Sequence, residues 1–110
     1  MTYATDTMVK ERLDIATADT SQAVKIAAKL TQANRLIDSK LKPHTTVPVT
    51  TPTEIVSALA EVEADFAAAF LVQDRGPAWK DQVDTFKKRA DEGLKTVIDY
   101  FTGTGTVVIG

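Results

Sequence analysis

Apolar residues recur every three or four positions along three long segments of this chain, which is the spacing of an amphipathic α-helix. The first segment ends at Lys42, before Pro43, and its apolar positions are Ala23, Ile26, Ala27, Leu30, Ala33, Leu36, Ile37 and Leu41. The second carries Ile55, Leu59, Val62, Phe66, Ala69 and Phe70. The third carries Trp79, Val83, Phe86, Ala90, Leu94, Val97, Ile98 and Phe101. The pattern therefore predicts three long helices.

Capping signals add a short helix and predict where the helices begin. The short helix is predicted from Asp6 to Leu13, with Thr5 as its N-cap. Asp19 is the predicted cap of the second helix, with Gln22 as the partner that reaches back. The residues Thr51–Glu54 read as a capping box with proline at the first helical position of the third helix.

Two glycines and one break shape the fourth helix. The sequence Asp74-Arg75-Gly76-Pro77 interrupts the helical pattern, so the fourth helix is predicted to begin near Pro77. Gly103 is predicted to end it. Gly93 lies inside the helical pattern, where a missing side chain permits close contact with another helix.

Two segments have an extended rather than a helical character. The segment His44–Thr51 contains Pro48 and several β-branched residues, which favour an extended loop across a surface. The tail Thr104–Ile109 has high strand propensity and needs a partner edge. The fold class indicated is all-α, a small bundle of about four helices (one short, three long) with an extended inter-helix loop and a C-terminal β-prone tail. The bundle domain is assigned to residues 1–103 and the tail to residues 104–110.

Composition limits the classes of protein that are compatible with the chain. Its 110 residues, 44% hydrophobic and 25% charged, suit one globular domain. A net charge of −2 argues against a free-standing nucleic-acid binder. The chain has no cysteine and no signal-peptide pattern at its start. The apolar-rich run Ile55–Val72 contains three carboxylates, so no membrane span is expected there.

The inventory of reactive side chains does not favour an enzyme. His44 is the only histidine, so a metal site would lack the further nitrogen or sulfur ligands that it needs. Ser21, Ser39 and Ser57 would have to share His44 as a base, which makes a catalytic triad improbable. Gly103-Thr104-Gly105 lacks the lysine and the flanking elements of a phosphate loop. We therefore expect no catalytic residue, no metal and no cofactor.

Charged residues on the long helices are expected to be solvated or to face neighbouring subunits. Glu61, Glu63 and Asp65 would need burial beside a pocket to act as acid and base, and a solvated or interface face is favoured. The third helix is expected to place Glu54, Glu61 and Asp65 on its wetter sides. The basic cluster Lys87–Arg89 could contact phosphate or an acidic neighbour, but a solvated face is again favoured.

Several stretches together resemble a known family. They are Tyr3 with the helix MVKERL, the helix end ANRLIDSKL, the proline-rich crossing, and the helix start TPTEIVSALAEVEADF. From Tyr3 to Phe101, the sequence resembles the head-to-tail connector adaptor (head-completion) proteins of long-tailed phages and prophages. The resemblance implies a helical bundle that docks under the portal as a dodecameric ring, extends the DNA channel and presents a platform to the next tail component. It implies no catalytic residue.

This resemblance sets the expected partners and location. They are further copies of the chain, the portal protein and the next tail-completion protein, in a virion assembled in the host cytoplasm. DNA would pass through the channel without specific binding, and no membrane would be involved. Contacts with subunits or portal are assigned, as a hypothesis, to Val47, Val49, Thr104, Val107, Val108 and Ile109, with the tail adding as a strand to a neighbour or to the loop. The rival interpretation is a small helical regulatory module, of the toxin–antitoxin type for example, that binds a partner protein.

Overall fold

The computed structural model describes residues 3–103, which form helices and connections without a strand. Helix α1 spans Asp6–Arg12, α2 Ala23–Leu41, α3 Thr53–Gln73 and α4 Lys80–Thr102, with a 3-10 turn at Pro77–Trp79 before α4. The prediction of an all-α bundle with one short and three long helices is confirmed. The predicted β-prone tail lies outside the described residues.

Helix α3 lies at the centre of the bundle, and α1, α2 and α4 all pack against it. Its middle is buried all round, from Val62 to Ala69, and Ala64, Ala67 and Ala68 have no exposed surface. A helix enclosed on every side loses its amphipathic stripe. The single apolar stripe predicted for this helix was therefore too narrow, because alanines on its other faces are also covered.

Close approach of α3 and α4 depends on Gly93. A Cβ atom at this position would lie 2.7 Å from Cγ2 of Val62, well inside van der Waals contact. Valine is stiff about χ1 and cannot easily turn this methyl group away. The predicted role of Gly93 in close helix contact is confirmed.

Replacing Gly93 with alanine is expected to lower the free energy of unfolding by about 1 kcal/mol, although alanine normally stabilises a helix by a similar amount. The overlap with Val62 outweighs the gain in helix propensity. In a Val62→Ala background the same Gly93→Ala change is expected to stabilise the fold. Urea denaturation of the four proteins in this cycle measures the coupling, and additive effects would contradict the assigned contact.

The observed helix ends confirm two caps and correct two others. The Thr5 hydroxyl accepts the N–H of Met8, and Gly103 ends α4 in the left-handed conformation (φ 72°). Asp19 does not cap α2, because its carboxylate accepts the N–H of Ser21 at 2.8 Å in a local turn. Gln22 occupies the N-cap position without a side-chain hydrogen bond, and α2 begins at Ala23.

The predicted capping box at the start of α3 is also wrong. Pro52 is the N-cap residue, and no side chain caps the helix. The carbonyl of Pro52 accepts the N–H groups of Ile55 and Val56, so the helix begins one residue later than predicted. Thr51 is exposed and lies outside the cap position.

Candidate interaction surface

The inter-helix loop, residues 42–52, lies at the same end of the bundle as the C-terminus of α4. Helices α2, α3 and α4 follow one another along the chain, and α2 and α4 both pack against α3, so each runs antiparallel to the next. Asn34 contacts Glu63 between α2 and α3, and Asp65 contacts Arg89 between α3 and α4, which agrees with this arrangement. We call this end of the bundle the loop end.

The loop alternates between inward and outward residues, as an extended chain does. Val49 is buried (5% exposed), and Val47 packs partly buried against the core. The exposed positions that alternate with them along the loop are polar or proline: His44, Thr46, Pro48 and Thr50. The most exposed residues of the loop are therefore others than the two valines of the hypothesis, and Val47 keeps part of its surface exposed.

The interface role assigned to Val47 and Val49 stays a prediction, but the structure shows that Val49 packs within its own chain. The buried side chain of Val49 holds the loop on its own chain and leaves little surface for a neighbour. The exposed residues of the loop were not predicted as interface residues. The alternation of valine with threonine and proline was the signal in the sequence that could have indicated them. The other four interface residues of the hypothesis, Thr104, Val107, Val108 and Ile109, lie outside the described residues.

An exposed aromatic side chain lies near the end of α4, close to the loop end. Tyr100 is 55% exposed, and its ring meets that of Phe101 edge-on, with 5.1 Å between the ring centroids. Phe101 is itself partly buried against the core. Tyrosine combines a large apolar area with a polar tip, which suits a protein interface.

The N-terminal residues Tyr3–Thr5, which we call the strap, lie across α2 and α3 at this side of the bundle. The N–H of Ala4 donates to Oε1 of Glu63 at 2.8 Å, although the two residues are 59 positions apart. The Tyr3 hydroxyl donates to Asp38 at 3.2 Å and accepts the N–H of Val49 at 2.9 Å. The strap therefore connects α2 and α3 with the inter-helix loop.

Glu63 is the anchor of the strap and is fully buried. Its second carboxylate oxygen accepts the side-chain amide of Asn34 at 3.0 Å. Burial raises the pKa of the Glu63 carboxyl above its ordinary value, and the hydrogen bonds from Ala4 and Asn34 offset part of this rise. The expectation of a solvated or interface position for Glu63 is wrong, because α2 and the strap cover it.

Asp65 is also buried, contrary to its predicted position on a wetter side of α3. Its Oδ1 atom accepts Nε of Arg12 at 2.7 Å and a guanidinium nitrogen of Arg89 at 3.1 Å. Arg12 also pairs with Glu61, which is exposed as expected. Asp65 thus links α1 to α4 through its two arginine partners, and Arg89 of the predicted basic cluster takes part in this ion pair.

A second set of exposed groups lies at the opposite end, which we call the turn end. Trp79 is 41% exposed, so it is not part of the core stripe on which the sequence placed it, and Arg75 lies over its ring at 5.1 Å. An open groove of about 380 Å³ beside it is lined by residues that include Gln73, Val83 and Lys87. Tryptophan and arginine are frequent at the energetic centres of protein interfaces.

Within residues 3–103, the reactive side chains do not gather into a site. His44 is exposed in the inter-helix loop, and no group of three or more potential metal ligands occurs in this part of the chain. None of the helices in the same range combines the length and apolar character needed to cross a bilayer. The candidate functional features of these residues are therefore the exposed surfaces at the two ends of the bundle and the buried polar contacts beneath them.

The fold and these surfaces define a small all-α bundle with an extended loop held down by an N-terminal strap. Comparison of the chain with protein-family models, with curated proteins and with solved structures gives no match.

Proposed function

We propose that the protein is a head-to-tail connector adaptor, a virion structural protein that forms a ring between portal and tail and extends the DNA channel. The observation that carries the proposal is the loop end, where the extended loop lies at the same end as the last turn of α4, from which residues 104–110 continue. A ring needs two different surfaces that meet in a closing, head-to-tail manner. In this proposal the loop end supplies one such surface, and residues 104–110 supply another.

The proposed ring is a structural assembly without catalysis or a cofactor. Its partners are further copies of the chain, about twelve by the family resemblance, together with the portal protein and the next tail-completion protein. The net charge of −2 favours a channel through which DNA slides without being retained, because phosphates are not attracted to an acidic wall. Assembly in the host cytoplasm and residence in the virion belong to the same proposal.

Electron microscopy of the protein mixed with the portal of the same virus is the most direct test. Density for a ring of this protein under the portal is the expected result. The mass of the purified protein is a weaker test, because an adaptor that assembles only on the portal is a monomer alone. Absence of added density at saturating protein concentration would contradict the proposed function.

Truncation after Gly103 is expected to leave the bundle folded and to weaken ring or virion assembly. The described helices end before this position, so the circular dichroism spectrum and the thermal midpoint should change little. The substitution Thr106→Ala is the matched control, because it changes a tail residue outside the assigned interface set and keeps the apolar residues of the tail. Assembly at the wild-type level after truncation would exclude a role for the tail in the interface.

A second candidate function is that of a helical module that binds a regulatory partner protein. Trp79, with Arg75 over its ring and the groove beside it, is the observation that favours it. A Trp79→Ala variant separates the two candidates. The adaptor proposal expects portal binding to survive this change, since Trp79 lies at the turn end, whereas loss of binding to a regulatory partner would favour the module.

A further inference from the structure

The strap and the inter-helix loop touch through a hydrogen bond whose direction is determined by its partners. A backbone N–H can only donate, so the Tyr3 hydroxyl must act as the acceptor for Val49 at 2.9 Å. The single hydroxyl hydrogen is then free to point at Asp38, whose Oδ1 atom lies 3.2 Å away. The Tyr3 hydroxyl therefore connects the loop to α2 through two hydrogen bonds.

The same strap is held on the bundle at a separate point by a buried carboxylate. Glu63 has no exposed surface and accepts the N–H of Ala4 at 2.8 Å. Ala4 itself is 5% exposed. The Glu63 carboxylate lies on α3, and its other oxygen accepts the side-chain amide of Asn34 on α2. This point of attachment is therefore separate from the contact between Tyr3 and the loop.

We propose that the strap is a latch for the inter-helix loop: while Ala4 is held by Glu63, Tyr3 keeps the loop on the bundle, and departure of the strap releases the loop. With the strap in place Val49 is buried, and the Tyr3 hydroxyl is the hydrogen-bond acceptor of its N–H. Departure of the strap removes this hydrogen bond, so the loop is held less firmly on the bundle and opens to solvent more often. Tyr3 is the positioning residue, and it acts on the loop from the N-terminal end of the chain.

The latch implies two ways in which a partner protein could expose the inter-helix loop. A partner that captures the N-terminal segment frees the loop, and a partner that pulls the loop outward weakens the docking of the strap. In this way the latch regulates the loop surface, and this consequence rests on the proposed function. The latch itself is a property of the isolated chain, so it can be tested without portal or tail proteins.

Amide hydrogen exchange of the full-length protein, measured by NMR, tests the latch. We expect Tyr3→Phe to raise the exchange rate of the Val49 amide at least tenfold relative to that of Leu94 in α4, which reports global opening. Glu63→Met, which removes the acceptor at similar volume, should raise the exchange of Ala4 and of Val49 together. Glu92→Met, at an exposed position of α4, is the matched control and should change neither.

Each outcome of this experiment decides for or against the latch. An unchanged Val49 rate in Tyr3→Phe would overturn it. Faster exchange at Ala4 with no change at Val49 in Glu63→Met, or an equal increase at Leu94, would also overturn it. If Glu63→Met does not fold, removal of residues 1–4 replaces it, with faster exchange of Val49 relative to Leu94 as the expected result. Failure here would leave the ring proposal standing, because the experiment measures a contact within one chain and not assembly.

Discussion

Replacing Glu63 with alanine is expected to lower the free energy of unfolding by about 3–5 kcal/mol. The change leaves the buried N–H of Ala4 and the side-chain amide of Asn34 without their acceptor. It also opens a cavity at a site with no exposed surface. Urea denaturation at pH 7, followed by circular dichroism, measures the loss.

The exposed residue Glu92 supplies the control for this prediction. Glu92→Ala makes the same chemical change on the outer side of α4 and should leave the free energy of unfolding nearly unchanged. A loss below about 1 kcal/mol in Glu63→Ala would show that the strap and Asn34 find other hydrogen-bond partners.

The raised pKa of Glu63 has a consequence for the pH dependence of stability. Above the ordinary value of 4.5, the unfolded chain releases this proton before the folded chain does, so the contribution of Glu63 to stability falls as pH rises toward its folded pKa. The stability advantage of wild type over Glu63→Gln should therefore shrink as pH increases above 4.5. An advantage that grows with pH would mean that the two hydrogen bonds outweigh burial and that the pKa is lowered.

Replacing Asp65 with alanine is expected to lower the free energy of unfolding by about 2–3 kcal/mol. The change leaves the largely buried Arg12 side chain, 13% exposed, with only the exposed Glu61 as a carboxylate partner. Arg89 is about half exposed, so water can replace its contact with Asp65. The expected loss is therefore smaller than for a fully buried pair. Denaturant unfolding of the variant measures it.

Two further variants distinguish an unpaired charge from lost packing in this cluster. Asp84→Ala removes a carboxylate from the exposed pair with Lys80 and should have little effect. The double variant Arg12→Met/Asp65→Leu replaces both buried charges by apolar groups and should recover much of the stability lost in Asp65→Ala. No recovery in the double variant would contradict an electrostatic origin of the loss.

Local patterns predicted the elements well because helix formation depends mainly on nearby residues. The periodic apolar positions predicted the three long helices, and capping signals added the short one. Thr5 and Gly103 acted as the expected caps, and Gly93 made the expected close contact. The two wrong caps have a local explanation as well. The Asp19 side chain had an alternative hydrogen bond in its own turn, and Pro52 displaced the expected cap by one position.

The surface assigned to the loop was predicted only in outline. Its extended character was evident from proline and β-branched residues, but the direction of each side chain was not. In the structure the Tyr3 hydroxyl accepts the N–H of Val49, and the Val49 side chain is buried. The two residues are 46 positions apart, so local patterns in the sequence do not record this contact.

The sequence by itself determined the number of helices, their approximate ends and the all-α class, because apolar spacing and capping act within a few residues. Only the tertiary structure decided that α3 is enclosed, that Glu63 and Asp65 are buried, and that the strap holds the loop. Helical periodicity records which side of a helix is apolar, but it does not record how many neighbours surround it. Contacts between distant segments, such as Ala4 with Glu63, determine burial and therefore the charge environment of each carboxylate.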